Sequence, residues 1–232
     1  MVHNDPCAMC GVALKTAKRH VWKRLDYPAS ANDDGGSFSL QEQTSMNTLV
    51  YMKNFMKDKH VASITPTSPF GVKRVCDQID FRKRNVIVEY GAGTGVFTQY
   101  LLKNMGADSR LIVIERNKHF DSILKSTFRD PRVAIFNESA ENVLGTLKNC
   151  CELQADYIIS GIPFLWLSEE IKCRVLYNTR NALREGGRFI AYQTIFQTSK
   201  DLKVYLERFF RKVRVQYEFV NIPPLCIYEA TK

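Results

Sequence analysis

Two short stretches carry residues whose types and spacing could do chemistry. Glu89-Tyr90-Gly91-Ala92-Gly93-Thr94-Gly95 closes an apolar run and precedes an amphipathic segment. That is the form of a glycine-rich turn between a strand and a helix, where a ligand can approach the backbone closely. Ile159-Ser160-Gly161-Ile162-Pro163-Phe164 ends a second apolar run in a Gly and Pro turn with an aromatic at its tip. It has the form of an active-site loop but holds no acid, base or metal ligand. A loop of that kind suits a reaction helped by orientation and exclusion of water, with no covalent intermediate.

The default ligand of such a turn is a dinucleotide, and two details oppose it. The third glycine of G-x-G-x-x-G would fall at position 96, which is valine, so the fingerprint fails on spacing. Glu89 also stands two residues before Gly91, where a carboxylate disfavours a pyrophosphate and favours a cation. S-adenosylmethionine carries an ammonium and a sulfonium and no phosphate, and it suits residues 89–95 better. Glu115 ends the apolar run Leu111-Ile112-Val113-Ile114, twenty residues beyond Gly95. With Arg116 beside it, it can accept both hydroxyls of a ribose. Asn137-Glu138-Ser139 puts another carboxylate at a strand end, in reach of an adenine amino group. A solvated surface carboxylate is the alternative at Glu115 and at Glu138. The candidate cofactor-binding set is therefore Glu89, Tyr90, Gly91, Ala92, Gly93, Thr94, Gly95, Glu115, Arg116, Glu138, Ser139 and Ser160. The candidate catalytic loop is Ser160, Gly161, Ile162, Pro163 and Phe164.

These residues must be positioned by an alternation of strands and helices. Helices are expected near 70–79, 96–105, 118–127, 140–149, 168–184 and 199–210, and strands near 85–90, 110–115, 132–136, 157–159 and 188–193. A final strand pair is joined by Asn221-Ile222-Pro223-Pro224, short enough for an antiparallel hairpin at a sheet edge. The pattern implies an α/β fold with a doubly wound, mostly parallel sheet and helices on both faces. With 232 residues and 45% hydrophobic content, the chain can bury one sizeable core. We read residues 61–232 as that domain and 1–60 as a helical extension.

Within the extension, residues 11–25 contain five Lys or Arg and no acid. On a helix, Leu14, Ala17, Val21 and Leu25 form one stripe with Trp22 at its edge, opposite Lys15, Arg19 and Lys23, while Lys18 must snorkel. Such a helix fits an anionic membrane surface, or packs on the domain with a solvated basic face. Residues 28–41 read as a flexible linker and 42–58 as a second helix. No run of eighteen apolar residues and no secretory signal is found, so an intracellular, cytoplasmic protein that does not span a membrane is expected. Seven cysteines, an odd number, point to reduced thiols, and the Cys7/Cys10 pair lacks partners for a zinc site, so no metal is expected. The formal charge of +9 favours an anionic partner, nucleic acid or acidic lipid.

EYGAGTG, then IERN, SGIPF and REGGRFIAY, in this order, resemble the class I S-adenosylmethionine-dependent methyltransferases over about residues 60–232. The resemblance implies a Rossmann-like sheet and S-adenosylmethionine as methyl donor. Two branches are similar. The ribosomal RNA adenine dimethyltransferases carry Asn-Leu-Pro-Tyr or Phe where this chain has Gly161-Ile162-Pro163-Phe164, so the Asn that holds the flipped adenine has no counterpart. The soluble bacterial phospholipid N-methyltransferases carry Ser-Gly-Leu-Pro, similar to Ser160-Gly161-Ile162-Pro163. Pro66-Thr67-Ser68 and Asn221-Ile222-Pro223-Pro224 resemble their Pro-Ser-Ser and Asn-x-Pro-Pro. The Cys-containing start and Gly-rich linker depart from this second branch.

The second resemblance implies methylation of phosphatidylethanolamine or a related amino lipid by a peripheral enzyme on the inner face of an anionic membrane, with a monomer expected. RNA adenine is the alternative acceptor. On the lipid reading, backbone carbonyls near Ser160 and Gly161 could accept from the amine, and Phe164 could face a cationic head group. Tyr90 and Tyr192 are polar partners of the site or core aromatics, and His119 is structural. If the basic helix serves the membrane, deleting residues 11–25 will weaken vesicle association and lipid turnover while leaving cofactor affinity nearly intact. An equal loss of cofactor affinity would assign it to the domain core.

Overall fold

The computed structural model of the chain describes residues 67–197 and 200–232. The basic stretch 11–25, the linker 28–41, the helical stretch 42–58, Cys7, Cys10 and Pro66 lie outside the described residues. Helix α1 (Pro69–Cys76) leads into β1 (Val86–Tyr90), α2 (Val96–Asn104), β2 (Arg110–Ile114), α3 (Lys118–Thr127) and β3 (Val133–Phe136). A 3-10 turn, Ala140–Asn142, opens α4 (Val143–Asn149), followed by β4 (Ala155–Ser160) and a 3-10 turn at Phe164–Trp166. Then come α5 (Glu169–Ala182), β5 (Leu183–Thr194), a short turn at Ile195–Gln197, α6 (Lys200–Phe209), β6 (Lys212–Glu218) and β7 (Leu225–Thr231).

The seven strands form one sheet in the order β3-β2-β1-β4-β5-β7-β6. The first five are parallel, and β7 runs antiparallel between β5 and the edge strand β6. The expected doubly wound sheet with a C-terminal antiparallel hairpin is thus observed. Alternate residues of each strand feed two cores. Val88, Tyr90, Ile112, Ile158 and Phe189 meet α4, α5 and α6 through Leu147, Leu176 and Leu206. On the other face, Ile87, Val113 and Ile159 meet α1, α2 and α3 through Val75, Leu101 and Leu124. All five residues of β1 are buried, as a strand covered on both faces requires.

Local chemistry fixes the helix starts. Ser68 accepts from the Gly71 N–H with Pro69 at the first helical position, Asn117 accepts from His119 and Phe120, and Ser168 accepts from Ile171. Strand β5 begins five residues earlier than the expected 188, because Leu183 pairs with Ala155 before the register shifts at Tyr157. The Gly186-Gly187 pair, expected ahead of the strand, lies inside that irregular strand. Helix α1 stops at Cys76 rather than near 79.

The strand order reverses between β1 and β4, and in such sheets ligands sit outside the carboxyl ends of the strands at that point. Register makes the ends level: Tyr90 pairs with Ile114 on one side and with Ser160 on the other. The glycine turn, Glu115 and the 160–164 loop therefore leave the sheet side by side. Gly95, with φ +85°, starts α2 in a left-handed conformation, and a β-carbon there would fall 2.4 Å from Phe128 Cε2. Gly95→Ala should destabilise the fold by about 1–3 kcal/mol through strain and overlap, read as a lower midpoint in chemical denaturation.

Candidate active site

The three glycines of the turn have different duties. Gly95 makes room for Phe128 and Leu124 of the α3 region, whereas a β-carbon on Gly93 (φ +55°) would meet no atom within 4 Å. The turn is therefore open at Gly93, where its backbone faces free space. Gly91 abuts the β4 loop: a β-carbon on it would lie 3.4 Å from Ile162 Cγ1. The Gly161 N–H donates to the Tyr90 carbonyl at 3.0 Å and the Gly91 N–H to the Ile114 carbonyl at 2.9 Å. The two stretches singled out in the sequence form one continuous wall.

Two carboxylates lie beneath it. Glu89 is buried at the end of β1, and its Oε2 accepts from Thr98 Oγ1 at 2.7 Å, while its Oε1 has no partner among the described residues. Burial raises its carboxyl from 4.5 to about 7; the Thr98 hydrogen bond works against this rise, and the nearby charge of Glu115 adds to it. A buried acceptor without a donor is costly, so the position is suited to a cationic or N–H-bearing ligand. Glu115 accepts from the Gly93 N–H at 2.9 Å through Oε2 and from the Asn117 N–H at 2.8 Å through Oε1. Burial raises its carboxyl, against those backbone donors. Each oxygen keeps acceptor capacity, because a carboxylate offers about four lone-pair directions. The ammonium and ribose hydroxyls of S-adenosylmethionine fit this pair: Glu89 Oε1 would take the ammonium, Glu115 the hydroxyls, and the open turn at Gly93 would admit the ligand to the backbone.

Other expected residues sit differently. The Tyr90 side chain turns away from the turn into the core, with its hydroxyl 3.2 Å from Thr179 Oγ1, so only its backbone faces the site. Phe164, expected to face a cationic head group, is instead fully buried edge-on against Phe189. The short turn at Phe164–Trp166 folds the ring inward and leaves Leu165 and Trp166 outside. Glu138 accepts from Asn142 Nδ2 at 2.6 Å, and Ser139 caps the 140–142 turn through Glu141, so both are engaged locally. The Arg116 side chain is exposed and its carbonyl accepts from Asn137 Nδ2. Ser160 is buried, its Oγ accepting from the Ile162 N–H at 3.3 Å. Ala92 and Thr94 are half-buried in the turn, and His119 is an exposed residue of the first turn of α3.

Several positioning residues escape motif reading. Thr98 holds Glu89 from the first turn of α2, and Asn137 ties the exit of β2 through the Glu115 and Arg116 carbonyls. Gln193, buried at the end of β5, donates to the Ile162 carbonyl at 3.3 Å and so pins the β4 loop. The Ser68 N–H donates to Asn221 Oδ1 at 2.7 Å, which joins the segments that carry the Thr67-Ser68 and Asn221-Ile222-Pro223-Pro224 resemblances. The β–turn–α geometry could have found Thr98, since a residue in the first turn of the following helix faces the strand end. The sequence has no signal for the others. Among the described residues, no three His, Cys, Asp or Glu side chains cluster as metal ligands, and no helix is long and apolar enough to cross a membrane.

Comparisons with known proteins agree with this geometry. A family profile described as ribosomal RNA adenine dimethylase matches residues 47–144. The ornithine lipid N-methyltransferase of Singulisphaera acidiphila is 27% identical over 177 residues, covering 76% of this chain and 91% of that protein. Among solved structures, an S-adenosylmethionine-dependent O-methyltransferase from Thermotoga maritima superposes with a TM-score of 0.58 at 16% identity, covering 80% of this chain and 70% of that one. A TehB-like S-adenosylmethionine-dependent methyltransferase from Corynebacterium glutamicum gives 0.54 at 18% identity, covering 82% and 99%. The chain has the class I S-adenosylmethionine-dependent methyltransferase fold, is related to lipid- and RNA-methylating enzymes, and uses S-adenosylmethionine for methyl transfer.

The Glu89 carboxyl makes this site sensitive to pH. Its folded value lies above its unfolded one, so the stability it contributes is fully present below about pH 4.5 and is lost as pH rises through about 7. Glu89→Gln should flatten this dependence and leave the ligand-free protein up to about 3 kcal/mol more stable than wild type above that range. The same substitution should weaken binding of S-adenosylhomocysteine tenfold or more, because a neutral amide replaces the charge facing the ammonium, roughly 1.4 kcal/mol or above. Denaturation at several pH values and calorimetry with S-adenosylhomocysteine measure the two effects.

Proposed function

We propose that this enzyme methylates the amino head group of a lipid, phosphatidylethanolamine or a related amino lipid such as ornithine lipid, at an anionic membrane surface. The observation that carries the assignment is Gly161. At the loop position where the adenine-methylating pattern has Asn, this chain has no side chain. The match to the RNA adenine dimethylase profile ends at residue 144, before the loop, and so speaks for the cofactor half. A match covering 76% of a 232-residue chain, as with the lipid N-methyltransferase, must include residues 160–164.

The surface around the loop also supports a lipid acceptor. Trp166 follows the β4 loop, Phe196 follows β5, and Phe219, Val220 and Ile222 lie in the β6–β7 connection, all exposed. Thr194 pairs with Leu225, so that connection shares the sheet end from which the β4 loop emerges. Exposed apolar side chains at that end fit shallow insertion at a membrane surface beside a lipid head group.

Bound S-adenosylmethionine supplies an electrophilic methyl on a sulfonium. The chain's residues orient the acceptor toward it. A backbone carbonyl of Ser160 or Gly161 would accept one N–H bond from the neutral amine, with Gln193 and the Phe164–Phe189 packing holding the loop in place. Ionised Glu89 would fix the cofactor's ammonium. A primary ammonium is mostly protonated near neutral pH and must first lose a proton to water. The held amine's lone pair would then form the N–C bond while the C–S bond breaks, the bonding pair staying on sulfur as a neutral thioether, so the chain would need only to keep the amine in line with the methyl.

With radiolabelled donor, the purified protein should label vesicles containing amino lipid and leave RNA unlabelled; label in RNA alone would contradict the assignment. Replacing Trp166 and Phe196 together by Ser should lower vesicle binding and lipid turnover several-fold in a sedimentation assay, with S-adenosylhomocysteine affinity unchanged.

A further inference from the structure

Tyr192 stands on β5 with its ring stacked on Phe97 of α2, centroids 4.3 Å apart and planes at 21°. The stack carries the phenol across the end of β4. A β-carbon placed on Gly161 would lie 2.5 Å from the Tyr192 hydroxyl oxygen, 2.9 Å from its Cζ and 3.3 Å from the Gly91 carbonyl. Real β-carbons do not make contacts that short with a packed ring, so Gly161 and Tyr192 exclude any larger residue at position 161. The ring is packed against the core, with the hydroxyl beside Gly161. It lies over the junction of the glycine turn and the β4 loop, where the acceptor nitrogen must approach.

We propose that the Tyr192 hydroxyl, which takes the space that a side chain at position 161 would need, receives an N–H of the acceptor amine. Resting on the lipid-amine assignment above, it makes the Gly161/Tyr192 pair a determinant of acceptor class. A side chain on the loop would present its polar atom from below; here the strand beside the loop presents it and leaves the loop bare. A neutral phenol can accept such a bond. Burial and the neighbouring Glu89, Cys76 and Glu115 push its titration well above the ordinary range, so the hydroxyl keeps its proton at working pH. Tyr192 accepts a hydrogen bond and takes no proton from the amine.

The number of N–H groups on the acceptor gives the test. A neutral primary amine has two N–H bonds, a monomethylated amine one and a dimethylated amine none. Tyr192→Phe keeps the stack on Phe97 and removes only the oxygen. Its kcat/KM should fall roughly five- to tenfold for phosphatidylethanolamine, the loss of one hydrogen bond. The penalty should be smaller for the monomethylated lipid and absent for the dimethylated lipid, with S-adenosylhomocysteine affinity unchanged by calorimetry. An equal penalty on all three lipids would mark a packing role and overturn the proposal, as would no penalty on any. Wild-type protein inactive on all three and on ornithine lipid would overturn the lipid assignment and this inference with it. Activity of the wild type with an unaffected variant would sink this inference alone.

Discussion

The level ending of three parallel strands is the constraint on which the rest depends. Tyr90 pairs with both Ile114 and Ser160, so the first residues beyond β1, β2 and β4 emerge at one height. Parallel pairing at the sheet centre needs both faces covered, and β1 is apolar through Val86, Ile87 and Val88 for that reason. Once the register is set, the glycine turn, Glu115 and the acceptor loop meet without a long-range interaction designed for the purpose. The main-chain bonds Gly161 N–H to Tyr90 O and Gly91 N–H to Ile114 O extend the ladder by one step into the site. Its backbone is therefore as rigid as the sheet.

That rigidity carries an electrostatic cost. Glu89 belongs to the same strand and is buried with one oxygen satisfied by Thr98 and the other bare among the described residues. A buried carboxylate with no cation is driven toward its neutral form, and the neighbouring Glu115 adds to the pressure. A cationic ligand relieves both terms at once. Electrostatic recognition of the donor and the stability of the ligand-free protein are therefore opposite sides of one buried charge. The proposed acceptor side is held by packing instead: Phe164 on Phe189, Tyr192 on Phe97, and Gln193 holding the Ile162 carbonyl.

Much of the fold was legible in the sequence because its signals are local. β-branched runs bounded by Gly and Pro gave the strands, and the period of the intervening segments gave the helices; α3 begins and ends where expected, at 118 and 127. Failures came where a tertiary partner overrides a local cue. Gly186-Gly187 was expected ahead of the fifth strand but lies within β5, because Leu183 finds Ala155 across the sheet. Phe164 at the tip of a Gly-Pro loop reads as an exposed aromatic, yet a 3-10 turn rolls it into the core and leaves Trp166 outside. At the candidate site, the meeting of Glu89, Gly93 and Glu115 was legible from spacing. Tyr192 was ambiguous between site and core because its meaning depends on its distance to Gly161, 31 positions earlier, which no spacing encodes. Asn221 and Ser68 likewise meet only in three dimensions.

The central claim is that this fold and this bare acceptor loop together deliver methyl groups to a lipid amine. Mass spectrometry of total lipids and of RNA nucleosides from cells with and without the protein tests it most directly. The account predicts new N-methylated amino lipids, lost on Glu89→Gln substitution, with the RNA nucleosides unaltered. Unchanged lipids together with newly methylated adenine in RNA would contradict it.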